Sequence, residues 1–227
     1  FDEFLLFLQT NNYSQETNYN YERDLKVFEN FLSEIKKDFN QVDKTALLNY
    51  KAYLASRDRK TAKEAIGHGT LNSYSINRML SSLRSYLRYL IDMDYNVPIS
   101  PDAIKLIKNI RKHPRVAEFN ELVKLIEAPS SLEKNKFIAK RNRAMLEALF
   151  STGMRISELI NLKKAQIDKT GKIFIMGKGK KERFVYLTPR AQKIIEDYFS
   201  TRRDLSPFAF IPYRGRNNQN KNKKISP

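Results

Sequence analysis

Two short segments combine isolated cations with glycine in a way that could bind a phosphate. They are STGMRISEL at 151–159 and MGKGKKER at 176–183. In the first, Gly153 can end one helix and Arg155 can begin the next, which would let the planar guanidinium contact a phosphate through two N–H groups. Glu158 lies one helical turn after Arg155 and could pair with it. The alternative is an Arg–Glu pair with a structural role alone.

The second segment places Lys178 between two glycines at the predicted tip of a β-hairpin. Its ammonium could reach a phosphate there or donate a proton to a leaving oxygen. The segment is not a P-loop, because it lacks the GxxxxGK[ST] spacing and joins two predicted strands. An ordinary exposed turn lysine is the alternative. The cations that follow, predicted to contact a nucleic-acid backbone, are Lys180, Lys181 and Arg183.

A third candidate is one face of the predicted helix LNSYSINRMLSSLRSYLRYLID. Small polar residues and arginines recur there at helical spacing, opposite an apolar stripe. Such a face could approach DNA closely, with arginines contacting phosphates or guanine edges. An ordinary solvated face is the alternative. The predicted DNA-binding residues are Asn77, Ser81, Arg84 and Arg88.

The overall charge favours a polyanionic partner. Lys and Arg number 42 against 25 acidic residues, a formal net charge of +17, while 41% of the 227 residues are hydrophobic. A globular protein with this surplus usually binds nucleic acid, and an anionic membrane surface is the second choice. The absence of cysteine excludes disulfides and cysteine-based zinc sites. His68 and His113 lie outside any ligand-spaced cluster, so no metal site is predicted.

These candidates require two kinds of scaffold along the chain. Residues 1–96 read as amphipathic helices, with Ser14 and Asp43 as N-caps, and predict a helical bundle. Residues 97–116 contain prolines and cations and predict a basic linker, with the domain boundary near Pro114. Residues 117–227 predict helices around GKIFIM and RFVYL, two strands that AQID could extend to three. The predicted fold is mainly α with a small antiparallel β-sheet (α+β).

This order of segments resembles the tyrosine recombinase family (phage integrase-like, Xer-type). The resemblance covers essentially the whole chain, and the spacing of 23 positions from Arg155 to Lys178 agrees with it. The matching segments are ETNYNYERDLKVFENFL, SINRMLSSLRSYLRYL, RNRAMLEALFSTGMRISELINL and IFIMGKGKKERFVYL.

The resemblance implies a SAM-like core-binding domain and a catalytic domain that clamp duplex DNA. It also implies chemistry without metal or cofactor, in which a tyrosine attacks a phosphate to form a 3′-phosphotyrosyl link. Arg155 matches the arginine that stabilises the transition state, Lys178 the lysine that protonates the leaving 5′-oxygen, and Glu158 the acid that supports the arginine. The implied assembly is a homotetramer, or one with a related recombinase, on two duplexes. Its implied location is the bacterial or archaeal cytoplasm, with the nucleoid and away from membranes.

One part of the family pattern is not found. The His/Lys-x-x-Arg box, a following His or Trp and the nucleophilic tyrosine are not recognised, and none of the 12 tyrosines is assigned as nucleophile. We therefore expect an incomplete catalytic domain with DNA binding and half of an active site. A non-catalytic DNA-binding protein on the same scaffold remains an alternative, and a type IB topoisomerase relative is a weaker one. Chromosome-dimer resolution and mobile-element integration are not distinguished.

Overall fold

The computed structural model describes residues 1–56, 70–109, 116–177, 182–213 and 225. The chain divides into a first unit, Phe1–His113, and a second unit, Pro114–Pro227. Helices dominate the described part, and one small antiparallel sheet accompanies them, which confirms the predicted fold class.

The first unit is a bundle of helices, three of which begin with a polar side-chain cap. The side chain of Ser14 accepts a hydrogen bond from the Thr17 amide, and that of Asp43 accepts one from the Ala46 amide, so both predicted N-caps form. The helices are α1 (Asp2–Thr10), α2 (Gln15–Glu34), α3 (Lys44–Ala55) and α4 (Ser73–Asp92).

The apolar faces of these helices meet in one core. Tyr50 and Leu54 of α3 and Leu80 of α4 are fully buried in this core. The same core buries Ile104 completely and is also contacted by Ile107. Residues 97–109, which the sequence assigned to a linker, therefore pack on the first unit. Apolar residues recur in this basic stretch, and burying them outweighs the local charge. The predicted linker residues 110–115 lie outside the described part.

The bundle core contains one buried carboxylate. Asp24 of α2 is only 1% exposed, and it accepts hydrogen bonds from Arg78 Nη1 at 2.5 Å and from Ser82 Oγ at 2.8 Å. Burial raises the pKa of Asp24, although the two donors from α4 oppose that rise. This contact ties α2 to α4 through a buried charged pair.

The second unit surrounds a two-stranded sheet with helices. The strands pair antiparallel, from Lys172 opposite Tyr186 to Met176 opposite Glu182. The segment AQID forms no third strand here: a 3-10 turn covers Lys164–Gln166, and only Ile167 bridges to Ile173. The elements are α5 (Phe119–Leu132), α6 (Lys136–Thr152), α7 (Ile156–Asn161), β1 (Lys172–Met176), β2 (Glu182–Tyr186) and α8 (Pro189–Ser200).

An ion-pair network joins three helices of the second unit. Glu147 of α6 is 3% exposed and accepts hydrogen bonds from Arg143 at 3.0 Å and from Arg190 Nε at 2.8 Å. Arg190 also donates to Glu127 of α5 at 2.9 Å. Because a buried carboxylate must keep its cationic partners, this network fixes α5 and α8 against α6.

Candidate functional site

The turn between α6 and α7 gives Arg155 its position. Gly153 ends α6 with φ +61°, in the left-handed region that glycine enters at little cost, and its amide bonds to the Leu149 carbonyl at 2.9 Å. The next residue, Met154, is buried in the core of the second unit and anchors the turn there. Arg155 then adopts extended backbone as the N-cap residue of α7. Both predicted helix boundaries around this arginine are confirmed.

Glu158 contacts Arg155 in two ways. Its Oε2 accepts the Arg155 backbone amide at 2.7 Å, and its Oε1 accepts Arg155 Nη1 at 3.1 Å. The first bond satisfies an amide that the start of a helix leaves without a partner. The second holds the guanidinium over the first turn of α7. The spacing-based expectation of an Arg–Glu pair is therefore met, while a catalytic role for the pair stays a prediction.

Arg183 of β2 is the second partner of Glu158. Its Nη1 donates to Oε1 at 3.1 Å and its Nη2 to Oε2 at 2.7 Å, the parallel two-bond geometry in which guanidinium and carboxylate fit best. These bonds, followed by those from Arg155, lower the pKa of Glu158 from 4.5 to about 2. Glu158 is thus ionised at neutral pH and lies between two cations.

Exposure distinguishes the two arginines. The Arg155 side chain is 59% exposed, whereas that of Glu158 is 9% and that of Arg183 is 36%. Two guanidinium groups around one carboxylate leave a net charge of +1, and Arg155 carries the more open group. A negatively charged oxygen from solvent could therefore contact Arg155 without breaking the bond between Glu158 and Arg183.

The role predicted for Arg183 was a nucleic-acid backbone contact, and its carboxylate partner was missed. Strand alternation carries a signal that could have found it. Arg183 and the buried Val185 lie on the same face of β2, opposite Ile175 and Ile173 of β1. A cation on the inward face of a strand needs an anionic partner within the protein. Its DNA contact stays a prediction.

Lys178, Lys180 and Lys181 lie outside the described residues, as do His68 and His113. The strands on either side of the lysines are described and pair antiparallel, so the predicted hairpin pairing is confirmed. The roles of the three lysines remain predictions.

The predicted polar face of α4 is largely occupied by the protein itself. Asn77 Nδ2 donates to the Ile107 carbonyl at 2.8 Å, and its Oδ1 accepts the Ile107 amide at 2.7 Å. Ser81 donates to the Asn77 carbonyl at 2.7 Å, and Arg84 donates to the carbonyl of Ile104. Only Arg88 is largely exposed, with Asp102 3.9 Å away. DNA contact by these four residues stays a prediction, now with this competing structural use.

The described part of the chain contains neither a cluster of metal-binding side chains nor a helix that could span a membrane. No group of three or more His, Cys, Asp or Glu side chains is arranged to hold a metal ion there. None of the helices described has both the length and the apolar character that crossing a membrane requires.

Two family models match the chain in succession. The model described as "Phage integrase, N-terminal SAM-like domain" matches residues 1–93, and that described as "Phage integrase family" matches residues 115–226. Together they account for most of both units.

Curated relatives agree with these models. The chain is 32% identical over 212 residues to "Tyrosine recombinase XerC" of Leptospira interrogans, covering 90% of this chain and 63% of that protein. It is 33% identical over 204 residues to "Tyrosine recombinase XerC" of Staphylococcus aureus, covering 87% and 62%. The chain therefore spans less than two thirds of the length of these relatives.

Solved structures show the same fold at lower identity. XerH bound to a palindromic difH substrate superposes with a TM-score of 0.68 at 19% identity, covering 95% of this chain and 60% of that one. A lambda integrase tetramer bound to a Holliday junction gives a TM-score of 0.66 at 16% identity, covering 93% and 58%. These solved structures show the fold alone. The two family models and the curated relatives show that the chain belongs to the tyrosine recombinase, or phage integrase, family.

Proposed function

We propose that this chain binds duplex DNA and supplies part of the active site of a site-specific recombinase. The observation that carries the proposal is the exposed guanidinium of Arg155, held at the start of α7 by a carboxylate that is itself fixed by Arg183. A preorganised cation of this kind stabilises the negative charge that develops on a phosphate during transfer. Family membership and the net charge of +17 support DNA as the source of that phosphate.

The proposed reaction breaks one DNA phosphodiester bond and forms a 3′-phosphotyrosyl link. Arg155 would stabilise the charge on the phosphate oxygens, and Glu158 would keep that guanidinium in place. Lys178 would donate a proton to the 5′-oxygen as it leaves. The freed 5′-hydroxyl of a partner strand would then attack the link and restore the phosphodiester.

We assign the nucleophile to none of the 12 tyrosines of this sequence. We therefore propose that these 227 residues alone bind DNA without cleaving it. By analogy with the integrase tetramer on a junction, we propose a tetramer on two duplexes, acting on DNA in the cytoplasm.

Binding is tested with the chain itself on a short mixed-sequence duplex, by fluorescence anisotropy at increasing salt. Log affinity should fall linearly with log salt, by about 0.9 for each phosphate neutralised. A flat salt dependence would contradict DNA binding.

Catalysis is tested with the protein as its gene encodes it. The substrate is a suicide duplex whose sequence comes from the genomic fragments that this protein binds. Arg155→Ala should slow cleavage by about 10²–10³-fold or more and leave duplex affinity near that of the wild type. Arg203→Ala, which removes an exposed arginine of the same unit that forms no ion pair among the described residues, is the matched control and should cleave normally. Lost binding with normal cleavage per bound complex would mean that Arg155 serves affinity alone. Binding without any cleavage by the wild type would favour the non-catalytic alternative.

A further inference from the structure

We propose that Arg183 is a positioning residue for Arg155 and acts through Glu158. This inference rests on the proposed function, because it concerns how the same phosphate site is held. It differs from the role that its place among the hairpin cations suggests, which is a direct contact with the DNA backbone.

The geometry at Glu158 carries the inference. Each carboxylate oxygen accepts two N–H groups: Oε1 from Arg155 Nη1 and Arg183 Nη1, and Oε2 from the Arg155 amide and Arg183 Nη2. Four donors leave little freedom for the carboxylate to rotate. Since two of the four come from Arg183, removing that side chain would halve the bonds that hold Glu158 in place.

The donors differ in how firmly they are held. Arg155 and Glu158 are three residues apart, and a pair of this kind with one exposed partner contributes little order by itself. Arg183 comes from β2, whose backbone is paired with β1 from Tyr186 to Glu182. Arg183 is therefore anchored independently of α7. Its bonds to Glu158 fix the start of α7 relative to the sheet.

The same bonds argue against a phosphate contact by Arg183. Its two terminal nitrogens face the carboxylate, so a phosphate would have to displace the fork from Glu158. If a phosphate displaced Arg183, the Glu158 carboxylate, whose side chain is only 9% exposed, would face a second anion without that cation. Arg155 faces no such penalty, because only one of its terminal nitrogens donates to Glu158 among the described contacts.

Ordering of the site can be tested in the chain itself by NMR. In Arg183→Gln, the Glu158 carboxyl should titrate well above the wild-type pKa of about 2. The Arg155 side-chain N–H should also lose order in relaxation measurements, which a structural role confined to Arg183 would not cause. An unchanged Glu158 titration, or an equally ordered Arg155, would overturn the proposal whether or not the protein cleaves DNA.

The consequence for catalysis is tested in the encoded protein by single-turnover cleavage at saturating protein. Arg183→Gln should slow cleavage by about 10–100-fold, the effect expected for a misplaced catalytic group. Its duplex affinity and salt slope should match the wild type. Arg183→Lys should stay impaired, since an ammonium cannot span both carboxylate oxygens. Arg203→Gln removes an exposed arginine of the same unit that forms no ion pair among the described residues, and as the matched control it should cleave normally.

Two results would overturn the catalytic part. A salt slope smaller by about 0.9 in Arg183→Gln, with full restoration by lysine, would identify a phosphate contact. A double variant Glu158→Gln with Arg183→Gln that is slower by the product of the single effects would show independent action. The proposal expects the double variant to be no slower than Glu158→Gln alone. Wild-type protein that binds no DNA would refute the proposed function, and the NMR result would then decide the positioning role.

Discussion

Replacing Glu158 with glutamine tests the electrostatic description of the site most directly. The variant keeps the size of the side chain but removes the negative charge that both arginines share. The pKa of Glu158 falls from 4.5 to about 2 in the folded chain. At about 1.4 kcal/mol for each pKa unit, this corresponds to at most about 3 kcal/mol of stabilisation at neutral pH. Because Arg155 is 59% exposed, solvent screening reduces the expected loss to about 1–2 kcal/mol.

The stabilisation that Glu158→Gln removes depends on pH. The folded-state pKa is lowered, so the stabilisation is complete above pH 4.5 and disappears as the pH falls towards 2. The free energy of unfolding should therefore differ between wild type and Glu158→Gln at pH 7. At pH 3 the difference should be less than about half as large.

The assay is urea unfolding followed through the methyl signals of Ile173 and Ile195, which are buried in the second unit and report on it alone. Glu182→Gln is the matched control, since it removes one negative charge from the same strand as Arg183 without an ion pair among the described residues. Glu182→Gln should change the free energy of unfolding little at either pH. A deficit in Glu158→Gln that is equal at pH 7 and pH 3, or no deficit at all, would refute the reasoning.

Two further predictions concern the scaffold. Arg78→Met should lower the free energy of unfolding of the first unit by about 3 kcal/mol at pH 7, because it leaves Asp24 buried without its cation. The pKa of Asp24 is already raised, so this loss should shrink as acid protonates the carboxyl, and urea unfolding at pH 7 and pH 4 would measure it. Gly171→Ala should destabilise the base of the hairpin by the roughly 1–2 kcal/mol of a left-handed residue, since φ is +77°. A smaller further loss should come from the collision of the Cβ with the flexible Gln192 side chain, which would have to leave its hydrogen bonds to the Thr170 and Leu187 carbonyls. Faster hydrogen exchange at Leu187, whose amide bonds to the Gly171 carbonyl at 2.8 Å, would report the effect. Gly153→Ala, with φ +61° and open space at the Cβ, should show the backbone strain alone. Equal losses in the two glycine variants would contradict the collision.

Local patterns were sufficient for much of the fold. Helical periodicity and short polar caps predicted the bundle, and the Ser14 and Asp43 caps form as expected. The left-handed turn at Gly153 and the pairing of the two strands were also predictable, because each depends on residues close together in the chain. The third strand was not, since a 3-10 turn at Lys164–Gln166 reduces it to one bridge.

Long-range contacts decided what the side chains do. Asn77 and Arg84 have the spacing of a DNA-binding face, yet they bond to the backbone at Ile107 and Ile104. Those partners lie 30 and 20 positions away, in a stretch whose charge suggested a linker. Periodicity on one helix cannot reveal which other segment covers a face.

The sequence by itself determined the mainly helical fold with its hairpin and the pairing of Arg155 with Glu158, because these depend on periodicity and a spacing of three residues, and its motifs already resembled those of the tyrosine recombinase family. Only the tertiary structure decided that Arg183 shares that carboxylate, since 25 positions separate it from Glu158 and the folding of β2 against α7 brings them together. A charge acquires its role from the partner that folding supplies, and for Arg183 that partner is a carboxylate of the protein.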